Sequence, residues 1–448
     1  MIDFEKSLIY QESLKIMNSP NISQFRWECE FIVKGKSFFP FRFLDEDLTR
    51  DYNGNVSDDR QIRVMFPYGE WYKDILPNID DIIVHIKKIP VNTVNGNNSE
   101  ASTIIDVLRA VYIDTATPHM KDTHPDNMSF DGANLTKLGT FYFQLLDPAF
   151  EQIRARTLGV ILKNVTMREA LRLILSKESK KINVPAASGI RAVDVVMPAN
   201  TVVYDHIIIP DGTPLLAIPQ YLQIKCGGVY SSGMGFYLQK GIWYVYPEYD
   251  VTRFSTELKT LTIYNVPANK LPQIETTYRT TANQVIILCT GEMQLLDDRD
   301  DLQYNHGNGA RFVDARKITE GFGTYKVGKY KVTRTDNASE FVAWDRKSTN
   351  NNAMVSGTRI TSNSFNEYAK LSRRNVMHLR VVWENANIDL LYPGMPVNFI
   401  YTYQDTQREV KGTLSFVQAI TTGTGGTLIN SAHTTHAVLT VLIEAFNV

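Results

Sequence analysis

The chain has little cysteine, no excess of charge of either sign, and no long apolar run. Its 448 residues include three cysteines, Cys29, Cys226 and Cys289. They are far apart, odd in number and never in a C-x-x-C pair, which argues against a disulfide framework or a zinc site. Buried free thiols of a reducing compartment are the expectation. The 47 basic residues face 48 acidic ones, a net charge of −1. The basic excess that marks a nucleic-acid binder is therefore missing from the total, although a basic face within a balanced total stays open. The opening residues MIDFEKSLIY lack a basic region followed by an apolar one, so no secretory signal is expected. The sequons at Asn21, Asn134 and Asn164 are accordingly read as coincidental. The apolar stretch 437–446 is interrupted by Thr440 and Glu444 and falls short of the roughly 20 apolar residues of a membrane span.

Motifs that carry chemistry are equally scarce. Gly227, Gly228, Gly233 and Gly235 fit neither phosphate-loop pattern. No G-K-[ST] follows, and Leu238 stands where a dinucleotide fingerprint needs its third glycine. No G-x-S-x-G occurs, and no cysteine lies beside a histidine in a recognisable context. His433 and His436 are ligand types, but residues three apart share a face only on a helix, and their surroundings read as loop running into strand. The acidic run Asp297, Asp298, Asp300 and Asp301 lacks EF-hand spacing and reads as a solvated loop. Lys326, Lys329, Lys331 and Arg334 interleave with Tyr325 and Tyr330. That pattern suits a phosphate backbone, and it also suits a strand edge guarded against aggregation, the simpler reading. No residue is assigned a catalytic, cofactor-binding or metal-ligating role. The chain is read as a non-enzyme without a cofactor.

What is present describes a folded protein of several units. Hydrophobic residues make up 43% and charged residues 21%, ordinary values for a chain that buries its cores. The length suggests about three domains of roughly 100–200 residues. The stretch Tyr204–Pro247 is dense in apolar and aromatic residues. It reads as a strand, a Pro-bounded helical turn, a glycine-punctuated loop and a closing strand. Before it, Thr166 with Glu169 makes a capping box. Met167, Ala170, Leu171, Ile174 and Leu175 then recur on one helical face. A second helix is expected from Pro148 to about Arg156. Toward the start, Trp27, Cys29, Phe31 and Val33 alternate with Arg26, Glu28, Glu30 and Ile32, the period of a half-buried strand. It joins the next strand at Lys34-Gly35-Lys36. Further strands at 61–66 and 81–89, with a short helix between them, give a small barrel-like plan. Four strands are expected near the end, at 377–383, 397–403, 409–420 and 437–446, with Gly412 a bulge candidate. No period of 20–50 residues occurs, so no solenoid is expected.

The expected division is an N-terminal β-barrel unit at 1–95, a linker or excursion of unassigned structure at 96–147, a small α+β domain at 148–260, and a C-terminal β unit at 261–448. The last carries a long polar excursion at about 302–375. The fold class is mainly β with an α+β insert.

Three passages resemble the baseplate hub (tail hub) proteins of tailed bacteriophages. They are GEWYKDILPNIDDIIVHI at 69–86, the stretch 204–247, and DLLYPGMPVNFIYTYQDTQREVKGTL at 389–414. The resemblance spans most of the chain in order, leaving 90–147 and 302–375 uncovered. It implies two tube-like β-barrel domains flanking the small α+β domain. It also implies a homotrimer whose six barrels adapt a sixfold tail tube to a threefold central spike, since duplicated domains resolve the symmetry mismatch. The expected partners are tube or tube-initiator, spike and other baseplate proteins. No membrane is involved, DNA passes through the assembly at most transiently, and the protein resides in the virion after synthesis in the host cytoplasm. No fused lysozyme or peptidase domain is evident. The alternatives are a tail-fibre or receptor-binding module and, less well supported, a cell-wall hydrolase.

Overall fold

Alternation of apolar and polar residues sets the architecture of the first region. The computed structural model describes residues 7–19, 25–90, 104–113, 136–255, 257, 259–266, 276–290, 294–296, 311–314, 323–327, 330–335, 338–343, 376–403, 406–423 and 433–444. Helix α1 (Leu8–Met17) is followed by β1 (Phe25–Val33), β2 (Lys36–Phe38), β3 (Arg42–Asp51) and β4 (Asp59–Pro67). Then come α2 (Tyr68–Glu70), a wider turn over Trp71–Ile75, β5 (Ile82–Pro90), β6 (Ile104–Ile113) and β7 (Leu138–Leu146). Trp27, Cys29, Phe31 and Val33 of β1 are all buried, as the alternation predicts. They join Phe66, Trp71 and Phe143 in one core. Phe31 meets Phe66 edge-on at 5.0 Å, and Trp71 stacks on Phe141 at 3.9 Å. The turn at Lys34-Gly35 has positive φ at both residues, 47° and 78°, the conformation whose twist matches a two-residue hairpin.

The middle region holds α3 (Pro148–Arg154), β8 (Thr157–Val165), α4 (Met167–Ser179), β9 (Ala192–Val195), β10 (Tyr204–Pro214), α5 (Ile218–Lys225), β11 (Met234–Gln239) and β12 (Ile242–Pro247). The capping box forms as expected: the Thr166 hydroxyl accepts from the Glu169 N–H at 3.3 Å, and Glu169 accepts from the Thr166 N–H at 2.9 Å. Such a cap contributes about 1 kcal/mol. The apolar face of α4 packs with Ile207, Ile209, Trp243 and Val245 in a second core. The closing strand of the stretch 204–247 proves to be the hairpin β11–β12.

The last region contains β13 (Thr260–Val266), β14 (Tyr278–Thr280), β15 (Gln284–Thr290), β16 (Gln294–Leu296), β17 (Arg311–Asp314), β18 (Gly323–Val327), β19 (Tyr330–Thr335), β20 (Ala338–Ala343), β21 (Val376–Trp383), β22 (Pro396–Tyr403), β23 (Thr406–Gly423) and β24 (His433–Glu444). The protein is mainly β, with one large sheet ordered β14-β15-β13-β22-β23-β3-β4-β7-β6-β5-β1-β24-β21-β16. Since β23 also pairs with β24, this order returns on itself. One circuit runs β23-β3-β4-β7-β6-β5-β1-β24. Another runs from β23 through β22, β13 and β15, which packs beside β21, and back by β24. The strands of the two ends of the chain thus share the ribbon β23–β24.

Strand β23 makes the sharing possible by changing partner along one edge. Residues 406–413 pair with β22, and residues 416–422 pair with β3. The register breaks between Leu414 and Phe416, placing a bulge at the switch, where bulges characteristically redirect a strand. Gly412, the expected bulge, lies in regular register instead. A Cβ there would collide with the Leu442 carbonyl, so its role is close backbone approach. The structure adds detail in three further places. Strands β6 and β7 occupy part of the stretch 96–147 of unassigned structure; Asp106 and Arg109, set among aliphatics, hide the period of β6. The excursion 302–375 contains a separate four-stranded sheet, β17-β20-β19-β18. Helix α1 had no expectation, yet Ile9 and Ile16 pack on Tyr264, Val266 and Ile286 of the large sheet.

Among the described residues, the first circuit closes through one β1–β24 pair, Phe25 with His433. The His433 ring is 5% exposed and sits 5.4 Å from Phe43 and 6.5 Å from Trp27. Burial and the Arg42 charge lower its pKa, outweighing the nearby Phe43 backbone. Between that lowered pKa and about 6.5, the unfolded chain binds more protons than the native one, so stability falls as pH drops through the window. His433→Phe keeps an aromatic ring and removes the titration. The urea midpoint of the wild type should decline more steeply from about pH 7 to about pH 5 than that of His433→Phe. Parallel profiles would show that this histidine does not govern the seam.

Candidate functional site

The three regions meet at a set of buried charges. Asp389 lies in a short turn, Ile388–Leu390, after β21. Lys88 reaches it from β5 at 3.1 Å, and Lys240 from the β11–β12 turn at 2.7 Å. Lys240 and Gly241 have φ of 49° and 70°, the paired positive values of a two-residue hairpin that projects the lysine. Lys88 is 4% exposed, and its Nζ lies 4.5 Å from the centroid of the Trp27 ring. A desolvated cation there gains about 2 kcal/mol from the ring quadrupole.

Arginines extend the network. Arg50 Nη1 donates to the Ile388 carbonyl at 2.9 Å, and its Nε to Asp58 at 3.1 Å. The Tyr237 hydroxyl donates to the same carboxylate at 3.0 Å. Arg60 pairs with Glu46 and, at 2.9 Å, with Asp106. Burial alone would raise the Asp389 pKa, but Lys88, Lys240 and Arg50 overcome it and hold it well below the usual carboxylate range. Asp106 is lowered likewise, Arg60 and Lys88 outweighing its burial. Neutral bonds line the same seam. Gln239 Nε2 donates to the Leu391 carbonyl at 3.0 Å, the Tyr246 hydroxyl to the Tyr52 carbonyl at 2.8 Å, and the Leu238 N–H to the Val56 carbonyl at 2.7 Å. A cavity of about 210 Å³ opens beside the network, lined by Arg50, Arg60, Lys88 and Lys240 among others. The arrangement holds three regions in register.

The residues singled out in the sequence are dispersed. His433 is buried among aromatics, while His436 is exposed and paired with Glu384, as strand alternation requires of residues three apart. Gly227, Gly228 and Gly233 all have positive φ. A Cβ on Gly227 would strike Tyr204, and one on Gly235 would strike Tyr246, so these glycines serve close packing. Asp297, Asp298, Asp300, Asp301 and Lys329 lie outside the described residues. In the β18–β19 hairpin, Lys326 pairs with Lys331, Tyr325 with Val332, and Val327 with Tyr330. Positions 326 and 331 thus occupy the opposite face from 325 and 330. Cys29 and Cys289 are buried free thiols, and Cys226 is half-buried; burial raises the pKa of each. No helix among the described residues is long and apolar enough to cross a membrane.

Removing one partner of a buried ion pair costs about 3–5 kcal/mol because the other charge is left uncompensated. Asp389→Asn strands Lys88 and should lower the unfolding free energy, measured by urea denaturation, by about that amount. Lys240→Ala should cost only about 0–1 kcal/mol, because its side chain is 35% exposed. Equal, small losses for both variants would remove Asp389 from its central place.

No family model matches the chain, and no curated protein matches its sequence. Among solved structures, it is similar to the 43 kDa tail protein of prophage MuSo2 from Shewanella oneidensis, with 10% identity, 92% of this chain and 98% of that chain covered, and a TM-score of 0.45. A lidless PdpA–VgrG complex matches with 7% identity over 96% of this chain and 66% of that one, TM-score 0.35. The lidded Francisella PdpA–VgrG complex matches with 7% identity, 95% and 53% coverage, and a TM-score of 0.34.

Proposed function

We propose that this chain is a non-enzymatic structural subunit of a bacteriophage tail, the baseplate hub, assembling as a homotrimer in the virion. The observation that carries the reading is the pair of strand circuits sharing β23 and β24. In this reading each circuit is a tube-like barrel, and the region 148–260 is the spacer held against both by the ionic junction. Three copies then present six barrels, which suits a sixfold tube on one side and a threefold spike on the other. The passages that carry the sequence resemblance support it. The segment 69–86 leads into β5 and Lys88, the stretch 204–247 contributes Tyr237 and Lys240, and the segment 389–414 begins at Asp389. Two of the three passages thus supply junction residues, and the third runs into the strand that carries Lys88.

The test is assembly. Mass photometry of the purified protein, alone and mixed with candidate spike and tube proteins, should show a trimer. Electron microscopy of the native particle should place three copies around the tail axis. A strictly monomeric protein that is absent from purified virions would sink the proposal. Turnover of peptidoglycan abolished by a single carboxylate substitution would replace it with the hydrolase reading.

A further inference from the structure

Strand β6 is paired unevenly. It is bonded to β5 from Ile104 to Ala110, but its other edge meets β7 only from Arg109 to Ile113. Among the described residues, the outer edge of Ile104–Leu108 has no strand partner. Its direction is set by one bond, in which Ser188 Oγ donates to the Val107 carbonyl at 3.4 Å. The Val107 backbone groups therefore point away from β5, and the alternation of an antiparallel ladder turns the N–H and C=O of Ile105 the same way. Ile104 to Leu108 all line the junction cavity, together with Arg191, Lys240 and Gly241. Ile105 is 56% exposed. The cavity is a slot with an open strand edge along one wall.

The charges of the slot are not uniformly matched. Arg50, Arg60, Lys88 and Lys240 each have a carboxylate partner. Arg191 is exposed and donates to the Lys240 carbonyl at 2.7 Å, with no ion pair to a described carboxylate. An open edge offers main-chain bonds to an incoming strand, while side-chain pockets and charge select which strand. We propose that this slot is a strand-addition site. An extended segment of a partner protein, alternating apolar and acidic residues, pairs with β6 at Ile105 and Val107, taking the Val107 carbonyl from Ser188, and sets a carboxylate against Arg191. The inference stands on β6 and Arg191 alone and does not depend on the hub reading.

A fluorescein-labelled peptide of alternating valine and glutamate is the probe. Saturable binding by anisotropy is expected, with slowed amide exchange at Ile105 and Val107. Binding should weaken at least about tenfold for Arg191→Glu, for Ile105→Pro, and for the same peptide N-methylated on alternate residues. Ile105→Pro removes an N–H that has no strand partner among the described residues, a position where an edge strand accepts proline, so its thermal unfolding should match the wild type. Should that variant fail to fold, the N-methylated peptide and Arg191→Glu decide. The proposal is overturned by absence of saturable binding up to about 1 mM. Equal binding of the N-methylated peptide would also overturn it. So would protection of both amides in the free protein, which would mean that the chain's own residues fill the slot.

Discussion

The constraint on which the rest of the structure depends is that Asp389, its side chain only 11% exposed, keeps its charge. A carboxylate taken out of water is tolerable only beside cations that are themselves held in place. Here those cations come from β5 and from the β11–β12 turn. Lys88 in turn is buried against Asp389, with the Asp106 charge and the Trp27 ring beside it. Neither the first sheet, nor the middle hairpin, nor the turn after β21 can therefore reach its final solvent-excluded state alone. Arg50 adds a bond to the neighbouring Ile388 carbonyl, so the turn is gripped by its backbone as well as by its side chain. Such a network contributes less to net stability than an apolar core of equal volume. Its contribution is placement, because no sliding of one unit against another preserves all the pairs.

This explains which parts of the architecture were legible in the sequence. Alternation in β1 and the capping box of α4 are local patterns, set by residues two to four apart, and both form as read. The junction has no local pattern. Lys88 and Asp389 are separated by 301 positions, and nothing beside Asp389 distinguishes it from a surface aspartate. The β6 sequence IIDVLRAVYI fails for another reason. Asp106 and Arg109 fall among aliphatics, and Asp106 faces Arg60, so the polar residue on the inner side erases the period. Ser415 is equally silent. The bulge beside it is dictated by β22 and β3 lying end to end along one edge of β23, an arrangement that exists only in three dimensions.

The same bulge bears on how the molecule divides. The expected division sets two β-rich units on either side of an α+β unit. The ribbon β23–β24 ties the strands of those two units together. Strand β3 is bonded to β23 through Phe416 to Thr422, so removing the C-terminal residues would leave β3 with an open edge and β1 without its closing pair. An exposed edge of that length invites association with other chains. Covalent continuity along β23 and β24 and the ionic contacts of Asp389 therefore act in parallel. A force applied to either circuit reaches the other through backbone and through buried charge, with the middle unit wedged between them by Lys240, Tyr237 and Gln239. For the proposed hub, that is the property a ring between a tube and a spike requires. In that proposal the subunit turns as one body, and adjustment between unlike symmetries falls to the surfaces between copies.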